Sequence, residues 1–128
     1  DNVTALPGGP GLLIDEELHH LQVPVWGMKK AERLGDARFL SLRPILAGGR
    51  FAGFWEYDPA KETMVIATVG EVPAKLARRI DDEAEATTAF IRDQLGHALS
   101  FSLDTDEELA KRAATIMKLF SARARRRR

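Results

Sequence analysis

Two consecutive glycines, Gly48 and Gly49, separate two apolar stretches and constrain the fold more than any other feature of the sequence. The stretch before them is FLSLRPIL at 39–46, and the stretch after them is RFAGFWEYD at 50–58. A two-residue hairpin of type I′ or II′ requires a positive φ at one or both turn positions, which glycine adopts without steric cost. The sequence therefore predicts an antiparallel β-hairpin at this point.

The second of these strands is apolar on both faces. Side chains alternate along a strand, which places Phe51, Gly53, Trp55 and Tyr57 on one face and Ala52, Phe54 and Glu56 on the other. A strand that is apolar on both faces is typical of the centre of a sheet. Gly53, between aromatic residues, predicts a β-bulge or the close approach of another backbone.

A third strand is predicted to follow, and then two helices. Asp58-Pro59 favours a turn, after which TMVIATV at 63–69 has the composition of a strand. The first helix is expected to begin at Pro73 and to end at Gly96. Its apolar stripe is Leu76, Ile80, Ala84, Thr87, Ile91 and Leu95.

The second helix is indicated by Thr105 and Glu108, which have the spacing of a capping box. Its predicted apolar face is Leu109, Ala113, Ile116, Met117 and Phe120. The fold class that follows is α+β: an antiparallel hairpin or meander sheet covered by two C-terminal amphipathic helices. We expect one domain over residues 1–122 and a basic, disordered tail over residues 123–128.

Charge is distributed unevenly along the chain. Residues 1–108 contain eleven basic residues and all nineteen acidic ones, whereas residues 109–128 contain eight basic residues and no acidic one. Clustered Lys and Arg side chains attract nucleic-acid phosphates without sequence specificity. The candidate phosphate-binding residues are Lys118, Arg123, Arg125, Arg126, Arg127 and Arg128, and the alternative for them is a solvated tail.

The chain has no cysteine, which excludes disulfides and thiolate zinc sites and favours a reducing compartment such as the cytoplasm. No apolar run approaches the roughly 20 residues of a membrane-spanning helix, so no membrane partner is expected. Glu16, Glu17, His19 and His20 lie close together in sequence. Two of them on one helical face do not complete a metal site, and a third ligand would have to come from His97 or a distant carboxylate, to which no recurring spacing points. An exposed polar turn is the favoured interpretation.

No motif for catalysis or for a cofactor is present. Ser41, Ser100 and Ser102 are not in a G-x-S-x-G elbow, and the glycines do not form a phosphate-binding loop. Glu56, between Trp55 and Tyr57, is a candidate general acid only if its aromatic neighbours desolvate it, and a basic partner is the favoured interpretation. The sequence therefore predicts a protein that is not an enzyme and that has no cofactor or metal.

Several short sequence strings occur in a fixed order along the chain. They are DNVTALPGGPGLL at 1–13, VPVWG at 23–27, ILAGGRFAGFWEYDP at 45–59, FIRDQLG at 90–96 and SFSLD at 100–104. In this order the chain resembles the C-terminal portion of winged-helix DNA-binding domain-containing proteins related to bacterial crosslink-repair DNA glycosylases. The most specific part is the pattern G-R-x-x-G-x-W-E-Y-D after an apolar strand.

The resemblance implies a role in DNA repair or DNA binding, next to upstream winged-helix domains of the same protein. In the glycosylase branch, catalysis is attributed to a Q-x-Q pair, but the only glutamines here are Gln22 and Gln94. No catalytic residue is therefore transferred, and the expected function is an accessory domain that supports binding of double-stranded DNA.

The main alternative is a protein-protein interaction or oligomerisation module. Its interface would consist of Phe51, Trp55 and Tyr57 of the hairpin together with Trp26 and the LPGGPG loop. Large aromatic side chains are enriched at such interfaces, and a contiguous exposed aromatic patch would support this alternative. An enzyme that uses Glu56 is the third hypothesis.

Overall fold

A computed structural model describes residues 13–25, 29–37, 40–70, 72–95 and 104–120, together with the backbone of residues 123–125. The two sheets are antiparallel. The strands are β1 (Gln22–Val23), β2 (Glu32–Arg33), β3 (Arg43–Ala47), β4 (Arg50–Asp58), β5 (Thr63–Thr68) and β6 (Arg123–Arg125). β1 and β2 form a small ribbon, and the main sheet has the order β3-β4-β5-β6. The predicted α+β class is confirmed.

The helices are α1 (Ala74–Phe90) and α2 (Asp106–Phe120). α1 continues as a π-helical turn over Ile91–Leu95, and a single 3₁₀ turn precedes β1 at Glu16–Leu18. The predicted end of α1 at Gly96 lies outside the described residues. The predicted capping box at α2 is present: the Thr105 N–H donates to Glu108 Oε2 at 2.8 Å, and the Glu108 N–H donates to Thr105 Oγ1 at 3.3 Å.

The hairpin has the predicted turn. Gly48 and Gly49 have φ values of 61° and 78°, the two positive angles that a type I′ turn needs. β3 begins at Arg43, four residues later than the start of the predicted strand. Leu40 instead makes an isolated bridge to Val25, and Leu42 is buried in the core. Phe39 lies outside the described residues.

The predicted bulge is present in β4, and it corrects the prediction of which side chains share a face. The pairing between β3 and β4 shifts between Ile45 and Leu46, so that Gly53 pairs with Ile45 but Phe51 pairs with Leu46. The extra residue interrupts the alternation, because a bulge opposes two residues to one. Phe51 therefore lies on the face of Phe54, with ring centroids 5.1 Å apart, and not on the face of Trp55.

The sheet lies between the two helices. On one face, Phe54, Val65 and Ala67 pack with Ala113 and Ile116 of α2 in the main core, to which the N-terminal segment adds Ile14, Leu18, Val23, Val25, Leu34 and Leu42. On the other face, Tyr57 and Met64 pack with Ala84 and Ile91 in a smaller cluster. Both helices thus cover the sheet, one on each face.

Two predicted apolar stripes are corrected in part. Met117 of α2 is 43% exposed, because it lies about 80° around the helix from Leu109 and at the margin of the buried stripe. In α1, Ala84 and Ile91 are buried together with Thr88, while Leu76 and Ile80 are only half-buried. The first half of α1 therefore stands away from the sheet.

The expected disordered tail is also corrected for the part that the structure describes. Residues Arg123–Arg125 form β6, which pairs antiparallel with Met64, Val65 and Ile66 of β5. A backbone that completes a ladder of hydrogen bonds is held in place, whatever the charge of its side chains. Residues 126–128 lie outside the described part.

We predict that Gly53→Ala destabilises the domain by about 3 kcal/mol. Gly53 has a φ of 153°, and a Cβ atom there would lie 1.9 Å from the carbonyl oxygen of Ala67, which is backbone and cannot move aside. Urea denaturation of both proteins measures the difference in the free energy of unfolding.

The matched control is Gly48→Ala. Gly48 also has a positive φ, but a Cβ atom there meets nothing within 4 Å, so only the backbone strain of about 1 kcal/mol remains. Equal losses of unfolding free energy in the two variants would show that the close approach of Ala67 does not destabilise Gly53→Ala.

Candidate functional site

The predicted phosphate-binding residues lie towards the end of the chain. Lys118 is exposed in the last turn of α2. Arg123 and Arg125 belong to β6, where they pair with Ile66 and Met64 at the edge of the main sheet. The sequence continues from this strand into Arg126, Arg127 and Arg128, which lie outside the described residues.

One arginine among the basic residues of 109–128 is directed inward. Arg112 of α2 donates from Nε to Glu56 Oε2 at 2.8 Å and from Nη2 to Asp104 Oδ2 at 2.8 Å. Its side chain is only 22% exposed. Arg112 therefore connects the helix to the sheet and is not available to an external anion.

Glu56 is the centre of this network and is fully buried. Arg43 of β3 donates from Nε to both of its carboxylate oxygens, at 3.1 and 3.2 Å. The backbone N–H of Tyr57 donates to Oε1 at 3.1 Å. The expectation that Glu56 has a basic partner is thus confirmed, and two guanidinium groups take that role.

Asp104 balances the second positive charge. It lies just before α2, accepts the hydrogen bond from Arg112, and has Oδ2 3.9 Å from Nη2 of Arg43. Two carboxylates and two guanidinium groups form a network without net charge. A buried ion is tolerated only when it is paired and hydrogen-bonded in this way.

The network also raises the pKa of Arg112. Burial of the guanidinium alone lowers this pKa, but hydrogen bonds to Asp104 and Glu56 and the negative charges of both carboxylates outweigh burial. Arg112 therefore keeps its positive charge over the whole physiological pH range. Glu56, with no exposed surface and two arginines on its oxygens, has no access to a substrate.

The predicted aromatic interface residues are not brought together. Phe51 is buried on the α2 side of the sheet, whereas Tyr57 is buried on the α1 side. Trp55, on the α1 side, is only partly buried, and the guanidinium carbon of Arg43 lies 5.4 Å from its ring centroid. Trp26 lies outside the described residues. The three described aromatics thus do not make one exposed patch.

Trp55 lines a groove between the hairpin and the first half of α1. The groove has a volume of about 380 Å³, and its apolar walls include Ile45, Leu46, Trp55, Ile66, Leu76 and Ile80. Leu46 is 56% exposed at its mouth. Nothing in the sequence indicated this groove, because it results from the separation of α1 from the sheet and not from a local pattern.

The predicted polar turn near His19 and His20 has no metal-site geometry. His19 Nε2 lies 2.9 Å from the carbonyl oxygen of Ile14, and this contact closes the loop before β1. Across the parts of the chain that the structure describes, no three His, Asp or Glu side chains are grouped to hold a metal ion. His97 is outside those parts. The helices of the same parts include none with the length and apolar character of a membrane span.

Tyr57 is a buried phenol in a negatively charged neighbourhood. Burial is the main cause that raises its pKa above 10.0, the charges of Glu62 and Asp58 raise it further, and the positive charge of Arg92 partly offsets them. The neutral phenol is therefore the form that the fold accommodates.

We predict that Glu56→Gln destabilises the protein by about 3 kcal/mol, because it leaves the guanidinium groups of Arg43 and Arg112, which are 26% and 22% exposed, with too little negative charge. Urea denaturation measures this loss. Glu17→Gln is the control, since Glu17 is exposed and the same chemical change there is expected to stay within about 0.5 kcal/mol. Similar losses in both variants would contradict the central role of the network.

We also predict that Tyr57 ionises above its ordinary pKa of 10.0 in the folded protein. It is the only tyrosine, so the ultraviolet absorbance of tyrosinate reports on it alone. A folded-state pKa above the unfolded one means that the contribution to stability is complete below pH 10 and is lost as the pH rises further.

The same titration of the urea-unfolded chain provides the reference and is expected near pH 10. Circular dichroism at each pH verifies that the protein is still folded. Tyr57→Phe is expected to remove this part of the loss of stability at high pH. Identical midpoints for the folded and unfolded chains would contradict the burial of the phenol.

No protein-family model, curated protein or solved structure matches this chain. Three features of the described residues bear on function: the basic residues 123–125 that form β6 at the sheet edge, the buried Glu56 network, and the groove beside α1.

Proposed function

We propose that the chain is an accessory C-terminal domain of a winged-helix DNA-binding protein, and that it supports binding of double-stranded DNA without catalysis of its own. The observation that carries the proposal is β6, the strand that attaches the start of the arginine block to the edge of the main sheet. The proposed contacts are to phosphates, through Lys118 and the arginines at 123 and 125–128.

The attachment of β6 favours phosphate binding. A cationic segment that begins at a fixed strand loses less conformational freedom on binding than a free chain of the same charge. Its guanidinium groups are strong partners for phosphate oxygens because they donate several parallel hydrogen bonds. No fold-specific pocket is required for such contacts, which fits a role that supports sequence-reading modules elsewhere.

The body of the domain, residues 1–108, has eight more acidic than basic residues, and several of its arginines are paired with carboxylates. Arg43 and Arg112 belong to the buried network, and other arginines bind neighbouring carboxylates in pairs: Arg33 with Asp36, Arg50 with Asp15, and Arg92 with Asp93. The long-range attraction of these pairs for a polyanion is small. The basic block of residues 118–128 is thus the favoured place for DNA contact.

The resemblance to winged-helix proteins supplies the identity of the proposed ligand. Its most specific string, GRFAGFWEYDP, forms β4 and its turns, which serve the core of the domain. An architectural role for that string agrees with an accessory domain. The missing glutamine pair and the enclosed Glu56 both favour a domain without a reaction of its own.

An interaction module remains the second candidate, and the groove is the observation that favours it. Trp55 lines this apolar groove, and Leu46 is exposed at its mouth. Among the described residues of the predicted aromatic interface, Trp55 is the one that is still accessible. In this candidate function, a partner protein contacts the α1 side of the hairpin. It does not contact all the predicted aromatic residues together.

We predict that replacing Arg126, Arg127 and Arg128 with Gln weakens binding to duplex DNA at low salt. Fluorescence anisotropy at several salt concentrations measures the slope of log K against log salt. The slope is expected to fall in magnitude by up to about 3, because each lost phosphate contact removes roughly 0.9.

The control replaces Lys29, Lys30 and Lys61 with Gln, which removes the same charge from exposed positions elsewhere in the domain. Equal binding by the wild type and the arginine variant would overturn the assigned phosphate contacts. Equal weakening by both variants would indicate a general effect of net charge and would overturn them too.

A further inference from the structure

α1 carries a second stripe of residues, about 130° around the helix from those that pack against its own sheet. The stripe, here called the outer seam, consists of Val72, which immediately precedes the N-cap Pro73, and Leu76, Arg79, Glu83, Ala86 and Phe90. The successive spacings of 4, 3, 4, 3 and 4 are those of a coiled-coil seam. At 100° per residue, its helical members lie within an arc of about 80°.

Most of the outer seam is exposed. Arg79, Glu83, Ala86 and Phe90 are exposed, and Phe90 has 56% of its surface open to solvent. The residues of α1 that pack against the sheet, Ala84, Thr88 and Ile91, lie about 130° around the helix. A large exposed aromatic in line with a heptad pattern indicates a surface for another helix.

The two charges at the centre of the outer seam are Arg79 and Glu83. Arg79 and Glu83 make no side-chain hydrogen bond or ion pair with any residue in the described part of the chain. An intrahelical pair with the basic residue first is the weaker orientation. Charges in this order do little for α1 itself.

The chemistry of the outer seam is symmetric about position 81. From the N-terminal end, the order is two apolar residues, one basic residue, one acidic residue, and two apolar residues. A two-fold contact places the same surface of two copies face to face, in opposite directions. A sequence that has this symmetry about one point fits a second copy better than an unrelated partner.

We propose that two copies of this chain associate through antiparallel contact of their outer seams. Arg79 of one copy then faces Glu83 of the second copy, and the same pair recurs across the two-fold axis. Leu76 faces Ala86, and Val72 faces Phe90. Charge complementarity sets the register, and the four apolar contacts bury the exposed aromatic side chains.

The groove beside α1 adjoins this surface. Leu76, Arg79 and Glu83 line the groove as well as the outer seam, and Leu46 is exposed at its opposite wall. A second α1 lying along the outer seam covers this mouth. The association is independent of the proposed DNA contacts, because β6 and the basic block are not part of the contact.

Sedimentation velocity of the wild-type chain tests the proposal at concentrations up to about 200 μM, where an interface of micromolar affinity is largely formed. A dimer is expected. Arg79→Glu and Glu83→Arg, made singly, each place like charges opposite each other and are expected to weaken the dimer roughly tenfold or more. The double variant restores opposite charges and is expected to return to within roughly threefold of the wild type.

The controls are Arg78→Glu, one residue from the outer seam and off it, and Glu17→Arg, which makes the acidic-to-basic change at an exposed position in the 3₁₀ turn before β1. They are expected to leave the dimer unchanged, and circular dichroism verifies that all variants are folded. A wild type that is monomeric at every concentration overturns the proposal, because the seam would then serve a different protein or none. A dimer that the single changes do not weaken, or that the double variant does not restore, also overturns it.

Discussion

The buried carboxylate of Glu56 is the constraint on which the described fold depends. Its charge is compensated by Arg43 from the adjacent strand and by Arg112 from a helix 56 residues away, and Asp104 completes the balance. Replacing such a network by apolar residues often costs little, so its main effect is not net stability. It fixes position, because any other docking of α2 on the sheet leaves at least one buried ion unpaired. The capping box at Thr105 and the network thus determine where α2 begins and how it is oriented.

A single glycine decides what each face of the sheet offers to the helices. The bulge at Gly53 turns Phe51 to the face of Phe54, where Phe120 of α2 also packs, 5.4 Å from the Phe54 ring. Without the extra residue, Phe51 would share a face with Trp55 and Tyr57, and the α2 face of the sheet would lose the Phe51 ring. The backbone at Gly53 passes so close to Ala67 that no side chain fits there. The network and the bulge act together, since both determine the contact between β4 and α2.

Local chemistry made much of this predictable from sequence. The glycine pair, the capping box and the bulge each follow from a short motif whose geometry allows few alternatives. The face assignment of Phe51 was wrong because a bulge can be inferred from a glycine, whereas the residue at which alternation breaks depends on the partner strand. The partners of Glu56 could be anticipated as basic but not identified, since Arg112 is distant in sequence. β6 was predicted as a tail because its composition is that of a solvated segment, and pairing with β5 is a tertiary effect that composition does not encode.

The two helices use their charges in opposite ways, and this difference connects the two proposals. α2 directs Arg112 inward to the network, whereas α1 leaves Arg79 and Glu83 at the surface. β6 lies at the edge of the sheet next to β5 and close to α1. Association through α1 therefore joins two domains that each carry a basic block, through residues that are not part of those blocks. Nonspecific phosphate contacts are individually weak. When two basic blocks belong to one dimer and both can reach the same duplex, binding of the first raises the effective concentration of the second. Self-association would thus strengthen an accessory DNA contact without any new residue touching the DNA.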